Sequence, residues 1–180
     1  IVGITDTSAS NTTDTLADFQ RLSDGGELLQ HFSLMGNDDL DSGYLKILLD
    51  ENRLPDLENL VVRINQARRK GRNLAFHCVT HLELVFALAA LAEATPCEVG
   101  FDRIEHGAVV NDEMAHRLAD LGLPVITQPG FLFSKGDQYL ADLTRTELGS
   151  LYRFAGLQRL GVCVWWQVVM PPTAWSIHGR

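Results

Sequence analysis

The feature that most constrains the fold is an alternation. Short runs that are apolar at nearly every position are separated by longer stretches, several with apolar residues at helical spacing. The runs are Ile1–Thr5, Leu28–Met35, Gly43–Leu49, Asn73–Val79, Phe101–His106, Pro124–Gln128 and Gly161–Gln167. A strand that is apolar on consecutive residues is buried on both faces, as in a parallel sheet covered by helices. Between the runs, Pro55–Arg69 places Leu57, Leu60, Val61, Ile64 and Ala67 on one stripe, and His81–Ala94 is rich in Ala and Leu. Asp112–Leu121 carries Met114, Leu118 and Leu121, with Asn111 or Asp112 as N-cap and Gly122-Leu123-Pro124 as its stop. Strand alternating with helix predicts a parallel α/β fold with right-handed crossovers. No repeat, linker or low-complexity tract divides it.

An open doubly wound sheet and a barrel both satisfy this pattern. The barrel is favoured by where the polar residues fall: Lys46, His77 and His106 lie within or at the ends of three successive predicted strands. In barrels, chemistry is built at the C-terminal strand ends, although an open sheet uses that edge too. The open-sheet nucleotide-binding alternative lacks a GxGxxG or GxxxxGK[ST] loop after any strand. At 180 residues the chain is short for a complete barrel, which takes about 250 and at least about 200.

Composition narrows the partners. A net charge of −8 disfavours nucleic acid and anionic membrane surfaces. The one basic cluster, Arg68-Arg69-Lys70 with Arg72, sits at a predicted helix end, where cations complement the helix dipole, and reads as structural. Cys78, Cys97 and Cys163 are odd in number with no CxxC spacing, which points to a reduced, cytoplasmic protein. No apolar run reaches the ~18 residues of a membrane span.

Lys46 interrupts an apolar strand. Burying an ammonium costs several kcal/mol unless it is paired, neutralised or modified. Either it pairs with Asp50 or Glu51, or it points into a barrel mouth. Leu74-Ala75-Phe76-His77 and Arg103-Ile104-Glu105-His106 each end a strand on histidine, 31 residues after Lys46 and 29 further on, one strand–helix unit apiece. Neighbouring parallel strands lie about 4.8 Å apart, so two histidines at matching depths can share a metal ion. Taken singly, each reads as a core residue; together, with Lys46 one unit earlier, they read as a metal site. Cys78 faces away from His77 and reads as structural.

Asp102-Arg103-Ile104-Glu105-His106-Gly107, then a helix, then Gly122-Leu123-Pro124-Val125-Ile126-Thr127-Gln128-Pro129, resembles the amidohydrolase superfamily, especially its amidohydrolase-3 branch. Leu74–Val79 resembles that family's preceding metal-histidine strand, Gly3-Ile4-Thr5 its GIT/GVT strand, and Tyr44–Asp50 the strand whose lysine can be carboxylated. The resemblance runs from Ile1 to Val164. It implies an incomplete (β/α)8 TIM-type barrel over residues 1–164, lacking the first strand and with an aberrant last strand, followed by an atypical tail over 165–180. It also implies His77 and His106 as ligands of a divalent metal, zinc favoured, with Lys46 as a carboxylated bridging lysine. The implied activity is hydrolysis of amide or other non-peptide C–N bonds in small molecules by metal-activated water.

The chain departs from the family pattern. No His-x-His motif precedes Ile1, and the chain opens inside a strand, as a fragment would. The last strand, Gly161–Gln167, has no acid where the family carries an aspartate ligand and base. Pro171-Pro172, Trp175 and His178 suggest a truncated or frame-shifted end. The second reading is therefore a catalytically incomplete remnant with no turnover, prone to self-association through unpaired edges. Thr80-His81 replaces the family's frequent Gly-Asp; His81 lies on the surface or at the pocket rim. Gln128 lines the pocket or satisfies backbone groups. His31, His116 and His178 read as exposed or structural, and Asp6, Asp14 and Asp24 as surface or capping residues in loops.

Overall fold

The structure is a computed structural model and describes residues 1–97 and 101–166. Its elements, in chain order, are β1 (Gly3–Asp6), α1 (Thr13–Asp24), β2 (His31–Gly36), β3 (Tyr44–Leu48), α2 (Leu57–Arg69), β4 (Leu74–Cys78), α3 (His81–Glu93), β5 (Arg103–His106), α4 (Asp112–Asp120), β6 (Val125–Thr127), α5 (Phe131–Asp142), α6 (Arg145–Leu148), α7 (Phe154–Arg159) and β7 (Val164–Trp166). Seven strands form one sheet in the order β1-β2-β3-β4-β5-β6-β7, all neighbours parallel. A doubly wound sheet reverses its strand order at a switch point; this sheet never does. The architecture is an incomplete (β/α)8-type barrel. No helix among the described residues is long and apolar enough to cross a membrane.

The expected helices form where their caps stand. Asp56 accepts the Asn59 N–H to open α2, and Asn111 accepts that of Met114 to open α4. Thr80 and Glu83 form a capping box at the start of α3. Leu121 is the exception in α4: it is the C-cap, and it is exposed. Helix α1 was not expected. It buries no residue, although Leu16, Phe19 and Leu22 recur at helical spacing. Asp14 sits in its first turn and Asp24 at its last residue rather than in loops. The same helix explains why β2 starts at His31 and not Leu28: the N–H groups of Glu27 and Leu28 are both taken by the Leu22 carbonyl.

Strands β2 and β3 are joined without a helix, although parallel strands ordinarily need a long crossover. The pair overlaps only at its ends, Met35 beside Tyr44 and Gly36 beside Leu45, so a short return suffices. Arg72 fastens that return. Its guanidinium donates to the carbonyls of Asn37 at 2.8 Å, Tyr44 at 3.0 Å, Gly43 at 3.3 Å and Gly36 at 3.4 Å. The basic cluster is structural, through specific bonds rather than the helix dipole alone: Arg68 pairs with Asp102 at 2.6 Å and Lys70 with Asp41 at 3.1 Å.

The strands divide their side chains between two faces. Outward, Leu45, Ile47, Phe76, Cys78, Ile104, Val125 and Val164 pack with Leu60, Ile64, Leu84, Leu88 and Leu118 of the helices in one core. Inward, the register aligns Lys46, Ala75 and Arg103 on one level and His77, Glu105 and Ile126 on another. Strand β7 ends the described sheet at Trp166; Gln167, Trp175, His178 and the rest of 167–180 lie outside the described residues.

Candidate active site

Lys46 is held in mid-strand by flanking outward residues Leu45 and Ile47, so its side chain lies on the inner face and is 5% exposed. Its partner is neither Asp50 nor Glu51, which lie past the end of β3 and are exposed. Instead its Nζ stands 3.9 Å from Oε2 of Glu105, two strands away. Arg103 Nε donates to the other oxygen of that carboxylate at 2.6 Å, and the Arg103 guanidinium lies 4.4 Å from the centre of the Tyr44 ring. Glu105 is 1% exposed. Burial lowers the Lys46 pKa and nearby Arg103 adds to this, while Glu105 opposes it. Arg103 and Glu105 were legible only as letters of a motif; residues two apart in a strand share a face, and that was the available signal.

His77 is on the same inner face, at the C-terminal end of β4. Its register partner is Glu105, however, and His106 is aligned with Cys78, one level further along. The two histidines are therefore not at matching depths. They meet because His106 has a φ of 69°, a left-handed conformation that costs a non-glycine residue of order 1–3 kcal/mol. This breaks the strand's alternation, and Glu105 and His106, though consecutive, both serve the inner side. The imidazole centres are 4.5 Å apart, edge to face at 77°. Gly107 follows with φ 52°, and a Cβ there would come within 2.5 Å of Val125 Cγ1, so the turn admits only glycine.

Burial lowers the pKa of both imidazoles. Lys46 adds to the effect at His77; at His106 the neighbouring His77 adds to it while Gln128 opposes it, and the pKa falls to about 4. Both rings are neutral near pH 7, the form that ligates metals. The Nδ1 of His106 is buried without a hydrogen-bond partner, which a buried polar atom seldom is. Gln128, just after β6, is 4% exposed and stands against His106. The first turn of α5 covers the same ring: Phe131 lies 5.9 Å from it, and Lys135 lies 5.6 Å over Phe131. No strand-end signal marked these two.

His81 is the first residue of α3 and half-buried. The Glu147 carboxyl at the start of α6 is held below its usual range chiefly by its hydrogen bonds with Thr144. Glu83 anchors the helix start, accepting the N–H groups of Val79 at 2.6 Å, Thr80 at 3.0 Å and Glu51 at 3.2 Å. Cys78 is in the outer core, where burial pushes its thiol up. His31 and His116 are exposed. Among the described residues no group of three or more His, Cys, Asp or Glu side chains is gathered so as to hold a metal ion. The described part of the last strand, Val164-Trp165-Trp166, has no acid.

No protein-family model and no curated protein matches the chain. Solved structures do. A metal-dependent hydrolase from Pyrococcus furiosus superposes with a TM-score of 0.77 and 17% identity, over 95% of this chain and 43% of that protein. One from Pyrococcus horikoshii gives a TM-score of 0.73 and 18% identity, over 92% and 41%. An amidohydrolase gives 0.60 and 14%, over 94% and 55%. At such identities the likeness is one of fold. The chain spans roughly half or less of the length of these proteins. Its fold is that of the hydrolases its motifs resemble.

Proposed function

We propose that the chain carries part of the metal centre of an amidohydrolase, an enzyme that cleaves amide or other non-peptide C–N bonds in small molecules. The observation that carries this reading is the pair of neutral imidazoles, His77 and His106, in contact at the C-terminal ends of adjacent strands, on a fold shared with metal-dependent hydrolases. The donor set suits a divalent metal, zinc before iron or manganese, and the unpartnered Nδ1 of His106 supplies one ready ligand atom. Such an ion, when bound, lowers the pKa of a water and polarises the scissile carbonyl.

The chain's own residues would act around it. His77 and His106 would hold it. Lys46, its ammonium form disfavoured by burial, would attack CO2 through Nζ, forming an N–C bond and releasing a proton, and so become the carbamate ligand. Arg103 would then balance the Glu105 carboxylate that Lys46 no longer neutralises. Gln128 would orient substrate at His106, and His81 would contribute at the rim alone. The odd, unbridged cysteines support a reducing, cytoplasmic setting for the whole.

A second reading, a catalytically incomplete remnant, is favoured by the missing third ligand among the described residues and the missing acid on β7. Zinc-loaded chain incubated with a panel of N-acyl amino acids and cyclic amides separates the two. Hydrolysis abolished by His77→Ala establishes the enzyme; zinc binding without hydrolysis establishes the remnant.

A further inference from the structure

A second constellation lies at the opposite end of the sheet. Where α2 ends and β4 begins there is a cavity of about 400 Å³, lined among others by Asn65, Arg68, Arg69, Arg72, Asn73 and Cys97. Asn73 precedes β4 and His77 lies four residues on, so the cavity is about 13 Å along the strand from the imidazoles. It is not part of the candidate active site.

Its chemistry is one-sided. Three arginines line it, and no carboxylate among the described residues does; the Arg72 guanidinium is held by its four carbonyls, which leaves Arg68 and Arg69 to face a ligand. The oxygens of its two side-chain amides are engaged. Asn65 Oδ1 takes the Thr95 N–H at 2.8 Å, and Asn73 Oδ1 takes the Cys97 thiol at 3.0 Å, leaving both amides their NH2 donors. Asp102, behind Arg68, gives one oxygen to Arg68 Nη2 and the other to the Leu74 N–H. Arg69 makes no ion pair among the described residues, in a chain whose acids outnumber its bases.

The decisive atoms are on Arg68. Its side chain is 9% exposed, and its Nε and Nη1 are buried with no hydrogen-bond partner. A buried guanidinium with two idle donors leaves a desolvation cost that an anion with several acceptor oxygens removes. A carboxylate presents two such oxygens. A phosphate presents three, to be shared among Arg68, the Asn73 amide and the exposed Arg69. We propose that this cavity binds phosphate, free or as the end group of a small phosphate ester.

Cys97 on the cavity wall reports on occupancy, Cys163 is exposed and not among the lining residues, and Cys78 is buried. Alkylation of the whole chain by iodoacetamide is followed at each cysteine by mass spectrometry while inorganic phosphate replaces chloride at constant ionic strength. Saturable slowing by several-fold at Cys97, with Cys163 unchanged, is expected; glycerol phosphate run in parallel tells ester from free ion, and protection by either supports the site. Arg69→Ala, an exposed change that spares the fold, should weaken the protection several-fold, and Arg68→Met should remove it. No slowing at Cys97, equal slowing at Cys163, equal protection by acetate, or undiminished protection in Arg69→Ala would each overturn the proposal.

Discussion

The two faces of β3, β4 and β5 are made by alternate residues of the same short strands and solve opposite problems. Outward, Ile47, Phe76 and Ile104 meet helices and are almost fully buried in hydrocarbon. Inward, Lys46 and Glu105 are buried and Arg103 partly so, an arrangement whose desolvation cost only their mutual pairing offsets. Replacing buried ions of this kind with hydrocarbon is often neutral or stabilising, so stability alone gives no reason for three charges there. The difference teaches that the outer face accounts for the fold and the inner face for whatever the fold does.

That contrast can be broken from either side. Phe76→Ala, at a fully buried site, should cost about 3–5 kcal/mol in denaturant unfolding and leave the inner face chemically intact. Glu105→Ala strands two cations and should cost about 3 kcal/mol, whereas replacing Lys46, Arg103 and Glu105 together with apolar residues should recover most of it. A loss below ~1 kcal/mol for the single change would mean that water reaches the ions and the inner face is not dry.

Acid sharpens the contrast further, because only the inner face titrates. The pKa of His106 is about 4 in the folded chain against 6.5 in the unfolded one, and that of His77 is lowered in the same direction. The unfolded state therefore takes up protons first, and stability falls as pH drops from 6.5 toward 4, by about 2 kcal/mol for His106. Unfolding free energies at pH 7 and 4.5 should show this loss, and His106→Gln should reduce it. A pH-independent wild type would place the ring in water.

The smallest effect concerns the sheet's end. Trp165, on the inner side of β7 by its pairing with Ile126, is 55% exposed, and Trp166 is 66% exposed beside it. Exposed apolar edges invite pairing between chains. Light scattering should show concentration-dependent self-association that Trp165→Lys lessens without a change in unfolding midpoint. A monodisperse wild-type monomer would show the edge to be covered.

The strands were legible because burial on both faces writes continuous apolar runs, α2 because of its apolar stripe, α3 because of its Ala and Leu content, and α4 because Asn111 also marks its start. Helices α1 and α5 bury no residue, and α5 exposes Phe133 and Leu140, so neither announces itself by a buried apolar face. His77 and His106 stood out as polar residues closing apolar runs. Their depth was misjudged, because the left-handed turn at His106 is a tertiary arrangement with Val125 pressed on Gly107. The Lys46–Glu105–Arg103 system was hidden for a similar reason: it depends on register across three strands, and a sequence lists neighbours in one dimension only. Arg72, read as part of a charge cluster, holds four carbonyls that no spacing foretells.

The central claim is that His77 and His106 are metal ligands, and calorimetric titration of zinc into the purified chain tests it most directly. Zinc sites ordinarily use three or four protein ligands, so a site built on two imidazoles with Lys46 should bind weakly, with stoichiometry near one, and release protons. His106→Ala should abolish the heat. Undiminished binding in His106→Ala would contradict the assignment.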